Sequence, residues 1–233
     1  MAAHPSSDPD PLRYSATRPE LAPYVPRGAR RALDVGCGTG GFAETLRALV
    51  PDLELWGVEP VESAADVARG AYDKVITGFF PDDAGELPPA SFDAIYLLDV
   101  IEHLPDPEPA LRAATSLVAP GGVLVASIPN VRHFDVWWPL VRHGTWTYTD
   151  TGLLDRTHLR WFTRSSIADL FAATGWTVDT LEGINRTEPV GWKAKGIAAL
   201  GSRTADMFFI QYAVVARPAE PTPSGPSAER TQG

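Results

Sequence analysis

Short apolar runs and helix-period patterns alternate along most of the chain. ALDVG (32–36), LELWGVE (53–59), DKVIT (73–77), FDAIYLLD (92–99) and GVLVASIP (122–129) have the length of buried strands. Between them, Phe42, Leu46 and Leu49 of FAETLRALV (42–50) fall on one helical face, and SAADVARGA (63–71) reads as a second helix. A third helix, PEPALRAATSLVA (107–119), starts at a proline and stops at Pro120-Gly121-Gly122. This alternation predicts parallel strands joined by right-handed crossovers, a doubly wound α/β sheet. The end of the chain breaks the rhythm. After a helix at SSIADLFAATG (165–175), WTVDTLEG and MFFIQYAVVA lie close enough to pair antiparallel.

Composition narrows the picture. With 233 residues, 44% hydrophobic and 21% charged, the chain can bury one sizeable core. Six prolines before Gly28 interrupt any long helix, so residues 1–28 form an arm that is partly flexible. The main domain is expected over 29–217. The tail 218–233 has no aliphatic or aromatic residue larger than Ala and is expected to be disordered. A net charge of −9 would repel a phosphate backbone, which argues against nucleic acid as a partner. One cysteine, Cys37, leaves neither an internal disulfide nor a cysteine-rich metal site. No secretory leader and no apolar run of membrane-spanning length is visible, so a cytoplasmic location and no membrane partner are expected.

Chemistry concentrates first in ALDVGCGTGG (32–41). Gly36, Gly38 and Gly40 lie between a strand and a helix, where absent side chains permit tight turning and close approach of a ligand to the backbone. Asp34 sits inside the strand's end, a costly place for a carboxylate without a partner. Glu59 ends the next strand, where an acid in a doubly wound sheet can accept both hydroxyls of a ribose.

In these blocks the chain resembles the class I S-adenosylmethionine-dependent methyltransferases. The match comprises DVGCGTG, Glu59, FDAIYLLDVIEHLPDP and LVAPGGVLVASIPN, in order, within residues 14–216. The resemblance implies a Rossmann-like doubly wound seven-stranded sheet with an antiparallel last strand, and S-adenosyl-L-methionine as cofactor. It places Gly36, Gly38 and Gly40 along the methionine and ribose, Asp34 at the amino group, Glu59 on the ribose, and Cys37 as a backbone spacer. Phe79 or Phe80 would stack on adenine or join the core. Asp99 would lie where the backbone passes the cofactor. Tyr14 and Arg18 resemble a segment that folds over the cofactor, in which Arg18 could pair with the methionine carboxylate. The chain is also distantly similar to ubiquinone-biosynthesis O-methyltransferases, in which a cluster like Asp99, Glu102 and His103 holds a cation. Those relatives carry Glu where Asp99 stands, and no metal is assigned.

For a hydroxyl acceptor the chain must add alignment, exclusion of water and a base. Residues 130–164 are too long for a plain connection and hold four of the seven tryptophans, five Arg and three Asp. They are expected to form an acceptor lid inserted after strand five. Within the lid, LLDRTHLRWFT resembles a block of bacterial methyltransferases and offers His158 as general base, oriented by Asp155. His133 is the second choice. The reading is methyl transfer to a small molecule on a hydroxyl oxygen of a sugar, phenol or natural product, and the local surplus of arginines over acids in 130–164 would suit an anionic acceptor. N- or C-methylation and a non-catalytic cofactor-binding scaffold are the alternatives. Ala, Arg and Pro richness associates with secondary metabolism, and a monomer or homodimer is expected.

Overall fold

A computed structural model describes residues 15–83, 85, 87–187 and 201–220. Tyr14 and the tail beyond Glu220 lie outside the described residues. Seven strands form one sheet: β1 (Arg31–Val35), β2 (Glu54–Glu59), β3 (Lys74–Thr77), β4 (Phe92–Leu98), β5 (Val118–Pro129), β6 (Trp176–Arg186) and β7 (Phe209–Pro218). Their order is β3-β2-β1-β4-β5-β7-β6. The first five are parallel, and β7 enters antiparallel between β5 and β6. The helices are α1 (Gly41–Leu49), α2 (Glu62–Ala68), α3 (Glu108–Leu117), α4 (Phe134–His143) and α5 (Arg164–Ala173).

Period-two alternation divides the core into two layers. On one face Leu33, Val35, Ile95, Leu97, Leu124 and Ala126 pack with Leu111 of α3 and Phe171 of α5. On the other, Ala32, Leu55, Ala94, Tyr96 and Val125 pack with Phe42 and Leu46 of α1. Trp176, fully buried at the start of β6, satisfies its indole N–H on the Leu111 carbonyl at 2.9 Å. The arm is not wholly loose. Its prolines permit a short 3₁₀ helix, Pro19–Tyr24, which buries Leu21 in the α1-side core.

The strand order has a consequence for function. The chain moves from β1 outward through β2 and β3, then returns to β4 on the opposite side. The crevice opened there, at the carboxyl ends of β1 and β4, is where open α/β sheets take ligands.

Candidate active site

At the end of β1 the backbone turns through Gly36, Gly38 and Gly40 with φ of 74°, 56° and 89°, values that a β-carbon would strain. A β-carbon on Gly36 would also lie 2.7 Å from Val100 Cγ2. The amides of Gly36 and Cys37 both donate to the Val58 carbonyl, at 2.8 and 3.2 Å. Glu59 completes the anchoring: Oε2 accepts from Gly38 N and Oε1 from Val61 N, each at 2.9 Å. The carboxylate therefore fixes the glycine turn against the end of β2.

This turn forms one wall of a cavity of about 600 Å³. Asp34, Gly36, Cys37, Gly38, Glu59, Phe79, Phe80, Asp99, Asp155, His158 and Arg18 all reach it, although they come from six separated segments. Gly40 and His133 do not. Asp34 is buried and accepts a 2.5 Å hydrogen bond from Tyr72 Oη. Burial pushes its carboxyl up to about 7, the Tyr72 hydroxyl opposes that rise, Glu59 adds to it and Arg18 counters it. Burial raises Glu59 as well. Burial pushes the Cys37 thiol far up, so it stays protonated, consistent with a spacer. The two phenylalanines separate: Phe79 is 65% exposed, whereas Phe80 is 8% exposed and packs in the core.

Several expectations need correction. Arg18 is not free for a ligand carboxylate. Its guanidinium bonds Asp99, Glu20 (2.7 Å) and Ser127 Oγ (3.0 Å). Asp99, itself at φ 54°, also accepts from Gln211 Nε2 at 2.6 Å and Ser127 Oγ at 3.0 Å. The arm is thus clasped across β4, β5 and β7. Arg18→Ala would leave these acceptors short of a donor, and we expect urea denaturation to show a loss of about 1–3 kcal/mol. His133 is buried, caps α4 by accepting from Asp135 N and bonds Thr187 Oγ1 at 2.6 Å, which removes it from base chemistry in the cavity.

Burial and then His103 lower the His158 imidazole, and the charge of Asp155 opposes that lowering. Asp155 Oδ1 accepts from Thr157 N and Oγ1, at 2.8 and 2.7 Å, because its Asx-type turn is more local. The His158 ring is held by the Leu153 carbonyl, 3.1 Å from Nδ1. The expected lid divides in two. Thr151 to His158 border the cavity, but none of the four tryptophans does. Trp138 stacks on Phe134, and Trp146 meets Trp161 edge-on, so these rings pack against one another. No arginine of 130–164 lines the cavity either. Arg132 pairs with Asp206, Arg156 with Asp150, and Arg160 donates to the Pro105 carbonyl.

Sequence reasoning missed Tyr72 and Gln211. The second had a signal, a lone amide within the apolar run FFIQYAVVA.

The methyltransferase-domain family matches residues 10–181. The chain belongs to that family. Its cofactor is S-adenosylmethionine, and its sheet is the Rossmann-like sheet of the S-adenosylmethionine-dependent methyltransferases. The chain is 36% identical over 125 residues to a ubiquinone biosynthesis O-methyltransferase of Xanthomonas euvesicatoria pv. vesicatoria, covering 51% of this chain and 48% of that protein. It is 35% identical over 117 residues to a trans-aconitate 2-methyltransferase of Methylobacterium radiotolerans, covering 49% and 45%. The chain thus spans about half the length of the curated relatives it matches. A solved methyltransferase from Archaeoglobus fulgidus superposes with a TM-score of 0.62 at 20% identity, over 84% of this chain and 90% of that one. The cavity suits the cofactor: a glycine turn leaves room for close approach, and Asp34 and Glu59 offer negative charge to a cationic sulfonium and amine. Among the described residues no helix is long and apolar enough to cross a membrane.

Proposed function

We propose that this chain transfers the methyl group of S-adenosylmethionine to a hydroxyl oxygen of a small molecule. The observation that carries the reading is the composition of this cavity: an acidic floor at Asp34 and Glu59, and a wall bearing His103 and His158. The floor provides for the cofactor. Glu59 keeps lone pairs for ribose hydroxyls beyond those that hold Gly38 and Val61. Asp34 receives the amino group, the glycine turn follows the methionine, and the exposed face of Phe79 stacks on adenine. The cofactor supplies an electrophilic methyl group; the chain contributes position and exclusion of water.

The wall faces the acceptor. Polar imidazole nitrogens beside the reacting face suit a hydroxyl, which must lose a proton, better than an amine, which attacks with its own lone pair. With three of the five lid arginines engaged elsewhere and none of the five lining the cavity, the acceptor is a neutral hydroxylated molecule rather than an anionic one. Incubation of the purified chain with cofactor and a panel of sugars, phenols and hydroxylated natural products, followed by mass spectrometry, tests this. A gain of about 14 Da on a hydroxyl is the expected result. A gain confined to nitrogen or carbon, or none with cofactor bound, would reject the O-transfer reading.

A further inference from the structure

We propose that Glu102, His103 and His158 bind one divalent transition-metal ion on the acceptor side of the cavity. One donor atom from each of the three lies within 4.8 Å of the others. Glu102 makes the strongest demand. Its side chain is fully buried, and both carboxylate oxygens lack a hydrogen-bond partner. Protonation does not relieve this, because a neutral carboxyl still carries an O–H and a carbonyl with nothing to bond. Buried polar groups left without a partner destabilise the fold, and a cation satisfies both oxygens at once.

The imidazoles are arranged to match. Nδ1 of His103 lies 3.1 Å from the Thr157 carbonyl, and Nδ1 of His158 lies 3.1 Å from the Leu153 carbonyl. Each carbonyl fixes the N–H on Nδ1 and leaves the Nε2 lone pair open, which is the support found behind metal-bound histidines. The rings meet edge-to-face with centroids 4.8 Å apart, so the two lone pairs can converge. Metal bonds of about 2.0–2.2 Å would draw the three donors inward by about an ångström. The backbone holds them ready: Leu159 N and Arg160 N donate to the Glu102 carbonyl at 2.8 and 3.1 Å, stapling the two segments together.

This set differs from the Asp99, Glu102 and His103 cluster that the sequence suggests. Both oxygens of Asp99 are committed to Arg18, Gln211 and Ser127, and His158 takes its place. Two imidazoles and one carboxylate favour zinc, iron, cobalt or nickel over the all-oxygen preference of magnesium. Three protein ligands leave a position open, where an acceptor hydroxyl would bind and lose its proton more readily. Only that last consequence rests on the O-transfer reading.

The test needs no acceptor. Full-length protein stripped with a chelator would be titrated with Zn²⁺ against a chromophoric competitor, and with Co²⁺ by visible absorption. We expect one ion per chain and no displacement by excess Mg²⁺. Glu102→Gln and His158→Ala should each weaken Zn²⁺ binding by at least about 100-fold, while Asp99→Asn stays within about threefold. Cofactor affinity and circular dichroism report whether each variant is folded, and His103→Ala replaces any that is not. Absence of stoichiometric binding would overturn the site, as would unchanged binding in the Glu102 and His158 variants. Equal loss in Asp99→Asn would restore the set of Asp99, Glu102 and His103 and reject this one. Because ion binding is read directly, its failure is distinct from failure to find a hydroxyl acceptor.

Discussion

Glu59→Ala is expected to weaken S-adenosylmethionine binding by at least about 100-fold, roughly 2.8 kcal/mol, measured by calorimetry. The size follows from two losses. Glu59 accepts charge-assisted hydrogen bonds from Gly38 N and Val61 N, and without it both donors face a largely buried site unpaired. Such bonds contribute about 1.5–3 kcal/mol each. The cofactor also loses the acid we assign to its ribose. The fold should persist, because Gly36 N and Cys37 N remain on the Val58 carbonyl and the two core layers are untouched. Glu59→Gln separates the effects. Its amide keeps one accepting oxygen but turns an N–H₂ toward a backbone donor, so an intermediate loss of about tenfold is expected. An affinity for Glu59→Ala within about threefold of the parent would remove Glu59 from cofactor binding.

The strands and the cofactor turn were legible because both depend on local pattern. Alternation decides which side chains face each core layer, and Gly36 and Gly38 mark a turn whose φ values other residues avoid. Asp34 and Glu59 stood out because an acid at the end of an apolar strand needs a reason. The acceptor side was less legible because its partners meet through the fold alone. Glu102 and His103 are adjacent in sequence, but His158 reaches them only because residues 157–160 return along the turn after β4. Asp155 was legible by proximity, and it acts on His158 through charge while its Oδ1 accepts from the nearer donors of Thr157, which local pattern does not foretell. Tryptophan enrichment misled. Large rings concentrate wherever apolar area must be covered, and here they cover one another beside α4.

Asp34→Asn is expected to raise the stability of the cofactor-free protein at about pH 8 while sharply reducing cofactor affinity. Asp34 has a folded-state pKa of about 7 against an ordinary value of 3.8. Between those values the folded protein holds a proton that the unfolded chain has released, so stability falls as pH rises through this window and is level above it. The full penalty is at most about 4 kcal/mol, and the Asn variant escapes it while its amide oxygen still accepts from Tyr72. Cofactor binding has the opposite dependence, since an ionised Asp34 attracts the cation. Affinity in the parent should therefore rise by up to about tenfold per pH unit toward about 7 and then level off. The neighbours that face Asp34 shape this profile differently. Arg18 keeps its charge, the raised Tyr72 and Cys37 remain neutral, and burial raises Glu59 in the same direction as Asp34. Thermal melts and calorimetry at about pH 6 and about pH 8 read both effects. If Asp34→Asn binds the cofactor as the parent does, or keeps its pH profile above about pH 6, the acid is structural. A gain in stability together with a flattened binding profile would instead locate the cost of burying charge in one carboxylate, which the cofactor's positive charge offsets.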